Sequence, residues 1–211
     1  VYHENEYSGR EDRLFIYDIS KTDGVYTVLT FIRNDLPDTY GLIVSAASHT
    51  SPKMALLKSL EELCQVQGTA YHKLVNDEKK ECQRLEKQEV DTLHKYFLYY
   101  STGRHSRNID FISASDECIR LSDMLDYSKS SNKDNLEYVV HLFRQYKQLV
   151  YLADITKPEI RMSGFLVLKA IIPSYVDLAT NHRFMHPKSS RLQQYQKKYG
   201  SELNDNPHPF P

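Results

Sequence analysis

The chain has 211 residues, a net charge of −1 and 40% apolar side chains. That length is enough to bury one ordinary core, and that charge balance gives no global field to draw nucleic acid or lipid. The longest apolar stretch, residues 165–172, is broken by Lys169 and is too short to span a bilayer.

In chain order, Leu14 to Asp18 and Val25 to Arg33 are rich in β-branched and aromatic residues, and Lys21 to Gly24 between them reads as a turn. The pair predicts a hairpin, with Leu42 to Ala47 as a third short strand. Ser51 as a cap and Pro52 at the first helical position then open a helix expected to run to Gln67 and stop at Gly68. At 100° per residue, Leu56, Leu60, Leu63 and Cys64 share one face, and Lys58, Glu61, Glu62 and Gln65 share the opposite one. Residues 77–100 read as a second helix, charged early and apolar late, with Val90, Leu93 and Phe97 on its packing side. Residues 101–135 are polar and serine-rich and read as a surface insertion, with a strand at Asn108 to Ile112 and a helical turn at Arg120 to Leu125. A helix follows from Leu136 to Lys147, with Leu136, Val139, Val140 and Phe143 on one side. Leu149 to Ala153 and Phe165 to Ile172 read as strands buried on both faces. A basic helix, Ser190 to Tyr199, stops at Gly200, and residues 201–211 form an extended tail. Strands, helices and strands in this order predict an α/β (α+β) fold in which a mixed β-sheet packs against helices.

Much familiar chemistry is absent. There is no Gly-x-Gly-x-x-Gly, no phosphate-cradling Gly-x-x-x-x-Gly-Lys, no Gly-x-Ser-x-Gly elbow and no His-x-x-x-His pair on a predicted helix. Any nucleotide must be held by side chains and metal ions. Cys64, Cys82 and Cys118 are far apart and odd in number, so neither a disulfide framework nor a structural zinc site is expected. A reducing cytoplasm is the simplest home. The chain begins at Val1 without a methionine or a signal segment, as a processed chain or a piece of a longer one would. Sixteen tyrosines and no tryptophan have no account at this level.

Two features carry candidate chemistry. The tail ends Pro207-His208-Pro209-Phe210-Pro211, with proline at every second position. Proline fixes φ and donates no N–H, so this end is expected to be a stiff finger tipped by a free carboxylate. On the first helix, Glu61 and Gln65 are four apart and Glu62 and Gln65 three apart, so all three reach one ligand. Two carboxylates beside an amide suit Mg2+, a hard cation that keeps water and phosphate in its shell. A solvated polar face has the same pattern.

The run Ser51 to Gln65 resembles the signature of YcaO-type ATP-dependent cyclodehydratases, in which a helix rich in Ala and Leu bears Glu-x-x-Gln, matched here by Glu62 and Gln65. Phe15 to Ser20 resembles that family's strand ending in Asp-x-Thr. Leu152 to Ile160 resembles its Asp-x-Thr-x-Pro segment, Gly164 to Pro173 the strand that follows, and Pro207, Pro209 and Pro211 its terminal Pro-x-Pro-x-Pro. These landmarks keep the family's order and cover most of the chain outside residues 69–148. The resemblance implies an enzyme of bacterial peptide modification that uses ATP and Mg2+ to turn Cys, Ser or Thr of a ribosomal precursor peptide into azolines, with a leader-binding partner protein and, by family habit, a homodimer. It implies Glu62 as a metal ligand with Glu61 beside it, Gln65 touching nucleotide or water, and a chain end aimed by Pro207 and Pro209 whose carboxylate on Pro211 acts as base. Neither nucleic acid nor membrane is an expected partner.

The chain also departs from the pattern. The Ser and Glu-x-x-Glu-Arg of an earlier helix are missing, so the sequence resembles the C-terminal half of such a domain, and half a nucleotide site would bind ATP poorly. Ala47-Ser48 stands for a usual Gly-Ala, Lys169 for a frequent Arg, and Pro173-Ser174 for Pro-Gly. Two other readings stay open: a non-catalytic scaffold that binds a partner without nucleotide, and a thioamide-forming relative, against which the Pro-x-Pro-x-Pro ending argues.

Overall fold

The computed structural model describes residues 13–34, 40–75, 84–114, 117–176, 178–184, 189–200 and 202–210. They fall into two compact units: residues up to 128 with 179–184 and 205–210, and residues 129–178 with 189–204.

The first unit is built on an antiparallel sheet of β1 (Arg13–Asp18), β2 (Tyr26–Arg33) and β3 (Leu42–His49), in that spatial order. The predicted hairpin is there, closed by a Thr22–Val25 bridge with Gly24 at φ 88°. Register places Phe15 opposite Phe31, and the two rings stack with centroids 4.6 Å apart. Such a cross-strand aromatic pair contributes about 0.5–1.5 kcal/mol beyond its buried area. On β2, Thr30 faces α1 (Pro52–Val75), where its hydroxyl meets that of Ser59 at 2.8 Å. The pleat sends Leu29 and Phe31 to the other face. They too are buried, at 2% and 0% exposure, so the sheet is covered on both sides.

Helix α1 is longer than expected. Gly68 does not stop it, and the buried stripe goes on through Ala55, Ser59, Leu63 and Ala70. One more buried contact on the packing face outweighs the roughly 1 kcal/mol that a helical glycine costs. That stripe is rotated from the expected one: Cys64 is exposed and Leu56 only half-buried. Ser51 spends its hydroxyl on Asp126 at 2.7 Å instead of capping the helix.

The second helix is also corrected. Its early part, residues 77–83, lies outside the described residues. Lys87–Glu89 is a single 3-10 turn, and α2 spans Leu93–Ser101. Thr92 caps it, accepting from the Lys95 amide at 3.3 Å. Tyr96 through Ser101 are all buried, so α2 is an interior helix and packs against β3. Leu93, placed by periodicity on the packing side, is 38% exposed. Residues 106–114 form a 3-10 helix where a strand was expected, and Ile109 joins the core instead of the surface. The end of the β2–β3 connection meets the end of α2 at Gly41 and Gly103. A Cβ on Gly41 would lie 1.9 Å from the Gly103 backbone, so only glycine fits.

The second unit holds α3 (Asn132–Gln145), β4 (Tyr151–Asp154), α4 (Pro158–Met162), β5 (Leu168–Ile171) and α5 (Ser190–Tyr199). Ser131 caps α3, which starts at Asn132 and not at the expected Leu136, and Gly200 ends α5 as predicted, in the left-handed conformation at φ 62°. On α3 the buried residue is Leu142, while Leu136 and Val140 are exposed. β4 and β5 pair antiparallel, but neither is buried on both faces: Leu152 is 66% exposed and Leu168 54%. An apolar run buys burial only where a second layer covers it. The fold class is as expected, helices packed against β-sheet, with antiparallel pairing in both sheets.

Candidate active site

Helix α1 presents Glu61, Glu62 and Gln65 on an exposed stripe. Beneath Glu62 lies a polar seam between helix and sheet. Ser45, on β3 and only 1% exposed, donates its hydroxyl to Glu62 Oε2 at 2.9 Å. Ser59 on α1 meets Thr30 on β2, whose register partner is Ser45. One carboxylate oxygen of Glu62 is thereby fixed, and the remaining lone pairs are left for a ligand. Sequence reasoning missed Ser45. Its signal was a hydroxyl inside the apolar run Leu42 to Ala47, since a polar residue in a buried strand calls for a partner.

Among the described residues no group of three or more His, Cys, Asp or Glu gathers into a metal cage. The donor set on α1 is two carboxylates and an amide oxygen. These are hard ligands, in a number that suits a Mg2+ held mostly by phosphate and water. The donor chemistry fits that ion.

The chain end returns to α2 in the same unit. Lys87 pairs with Asp205 at 2.5 Å and holds its carboxyl below the usual range by donating to it. The Tyr100 hydroxyl donates to the Pro207 carbonyl at 2.5 Å, and Pro207 is fully buried. Burial pushes the Tyr100 phenol well up. The His208 ring lies on the Tyr96 ring, centroids 3.8 Å apart and 9° from parallel, and its Nε2 meets the Ala179 carbonyl at 2.7 Å. Pro209 is half-buried, and Phe210 packs against the core. The tail is thus docked, with bends at Asn206 and Pro209. Pro211, the expected bearer of the base, lies outside the described residues. The contacts described take the acidic stripe to β3 and the tail to α2.

The two Asp-x-Ser/Thr landmarks turn out to be one device used twice. Asp18 accepts the Ser20 amide at 2.9 Å, Ile19 donates to the Thr27 carbonyl, and Thr27 donates back to the Ser20 hydroxyl at 2.8 Å. In the second unit Asp154 accepts the Thr156 amide at 3.0 Å, Ile155 donates to the Val167 carbonyl, and Val167 donates to the Thr156 hydroxyl at 2.8 Å. Each side-chain turn locks the end of a strand to its neighbour. Asp154 also takes Arg161 at 2.6 Å, and donation by Thr156 and Arg161 holds its carboxyl well below the ordinary range.

No curated protein matches the chain. Solved structures do. A heterocyclase in complex with substrate and cofactor is similar over 94% of this chain and 25% of its own, at 15% identity and a TM-score of 0.63. The heterocyclase TruD is similar over the same shares, at 14% identity and a TM-score of 0.61. At that identity the likeness is one of fold. The chain spans about a quarter of the length of these structures. The profile of the YcaO cyclodehydratases, described as ATP- and Mg2+-binding, matches residues 5–176. That match runs from the sheet strands through α1 to β5, and on it the chain belongs to the YcaO family.

Proposed function

We propose that this chain is part of an ATP- and Mg2+-dependent cyclodehydratase that converts Cys, Ser or Thr residues of a ribosomal precursor peptide into azolines. Family membership together with the oriented Glu62 carboxylate supports the reading. In the reaction the side-chain sulfur or oxygen adds to the preceding carbonyl carbon. The former carbonyl oxygen, once phosphorylated, departs as phosphate while the amide nitrogen gives up its proton, and the C–N single bond of the ring becomes C=N. ATP supplies the phosphoryl group, and Mg2+ neutralises its charge.

The chain's own residues bind and aim. Glu62, steadied by Ser45, holds the metal, with Glu61 adding negative charge beside it. Gln65, one turn on, contacts nucleotide or a bound water. Pro207 and Pro209 stiffen the chain end so that the carboxylate of Pro211 takes a proton from the reacting amide. A carboxylate is a weak base, but held in place it gains from proximity. The full-length protein works with a leader-binding partner, forms a homodimer and acts in the cytoplasm, in keeping with Cys64 and Cys118, both free and exposed. No helix among the described residues is long and apolar enough to cross a membrane.

The test is an isotope experiment with the full-length protein, its precursor peptide, ATP and Mg2+. The peptide carries a heavy oxygen isotope in the amide carbonyl that precedes the cyclised residue. The reading predicts that the label leaves in inorganic phosphate, with one water lost from the peptide per ring. Label released as water, or rings formed without ATP consumption, would overturn it.

A further inference from the structure

The strongest unassigned feature is the set of aromatic and titratable side chains around the docked tail. Three contacts hold residues 207–208, and each is specific in direction. Tyr100 donates to the Pro207 carbonyl, so it reads the main chain and not a side chain. Tyr96 stacks on His208 almost parallel. Because the Ala179 carbonyl can only accept, His208 must carry a proton on Nε2 to satisfy that 2.7 Å contact. Together these fix the position and the rotation of the chain three residues before its last proline. Phe210 then seats against the core.

We propose that Tyr96, Tyr100 and His208 form a clamp that aims the last residues of the chain, closed by the neutral imidazole and opened by its protonation. The inference rests on the reading that the chain end serves ring formation, and it makes the three side chains positioning residues. The neutral ring stacks on Tyr96 and donates Nε2–H to the Ala179 carbonyl, while its buried Nδ1 has no hydrogen-bond partner. A second proton would place a charge on a ring sheltered from water. The titratable groups beside it are Tyr96 and Tyr100 from α2 and His182 from the 182–184 turn, which in turn lies near Lys87 of the 87–89 turn and Asp205 of the tail. The one carboxylate among them is already paired with Lys87. Burial accordingly holds both His208 and His182 below the ordinary imidazole range. The clamp is therefore shut at neutral pH and loosens on acidification.

These 211 residues hold no tryptophan. Phe210→Trp in the full-length protein adds an indole at the chain end, read as the difference from the emission of the Phe210 parent. Its emission is expected to be blue-shifted at pH 7.5 and to move red as the pH falls below the ordinary imidazole value of about 6.5. Adding His208→Phe, which keeps a ring on Tyr96 but cannot take a proton, is expected to leave the emission blue across that range. Adding Tyr100→Phe, which removes one hydroxyl, is expected to shift it red at every pH. In ring formation, Tyr100→Phe is expected to lower kcat about tenfold with KM for the peptide unchanged. An indole that stays blue while His208 titrates, or a Tyr100→Phe protein with unchanged emission, would overturn the clamp. So would a red-shifted Tyr100→Phe protein that keeps the wild-type kcat. If removing Phe210 and Pro211 leaves ring formation untouched, the catalytic use of the chain end fails instead, and the positioning role falls with it while the fluorescence result still reports the docking.

Discussion

Ser45 and Glu62 show how one hydroxyl changes the meaning of a surface carboxylate. Glu61 and Glu62 are adjacent and both exposed, but only Glu62 receives the buried serine. A carboxylate oriented in advance loses less freedom when it takes a ligand. Ser45→Ala is therefore expected to weaken Mg2+-dependent ATP binding by the full-length protein severalfold, while thermal stability falls by no more than about 1 kcal/mol, the size of one hydrogen bond. Titration calorimetry and a melting curve measure the two. Gly41 makes the opposite case, a residue whose work is wholly structural. Gly41→Ala forces backbone against backbone at Gly103, and a loss of about 3 kcal/mol or more is expected from the shift required. A urea denaturation midpoint reads it. Neither role shows in spacing: Ser45 needs β3 laid beside α1, and Gly41 needs the β2–β3 connection brought to the end of α2.

At the scale of elements, local signals read correctly wherever local physics decided the outcome. The β1–β2 hairpin, the Pro52 start of α1, and the Gly200 stop of α5 each follow from the few residues that make them. They failed where packing decided. Gly68 looks like a helix stop, but α1 passes through it because Ala70 still finds the core. The apolar runs around 149–153 and 165–172 look like interior strands, but β4 and β5 make a two-stranded sheet with its side chains exposed. The tyrosine bias had no reading in one dimension. Three of those tyrosines, Tyr96, Tyr99 and Tyr100, are buried on α2, where a ring fills the core and a hydroxyl can reach a carbonyl, as Tyr100 does at Pro207. Gly68 offers a clean check on the packing account. A methyl there would meet nothing within 4 Å. Gly68→Ala is expected to stabilise the protein by about 0.5–1 kcal/mol, seen as a higher Tm.

At the scale of the whole molecule, acid should act in two stages. His105, His182 and His208 are all held below the ordinary imidazole range, first of all by burial. The unfolded chain therefore binds more protons than the folded one in this range, and stability rises with pH. The contribution is fully present above the unfolded imidazole value of about 6.5 and is lost as pH falls toward the depressed folded values. Asp126, Asp154 and Asp205 are also depressed, chiefly by donated hydrogen bonds, so their share persists until pH falls below the ordinary carboxylate range. Urea midpoints between pH 8 and pH 3 should show a first decline near pH 6 and a second below about pH 4. A flat profile through the first region would contradict the burial of the three histidines.

One comparison tests most directly whether the acidic stripe and the chain end serve one reaction: azoline formation and ATP turnover by the full-length protein, side by side for wild type, Glu62→Gln, and a chain lacking Phe210 and Pro211. If the acidic stripe of α1 and the docked chain end serve the same chemistry, each change lowers the rate of ring formation about a hundredfold or more, as loss of one preorganised group does elsewhere. Glu62→Gln also lowers ATP turnover, and the shortened chain still binds ATP. Wild-type ring formation by either variant would contradict the account.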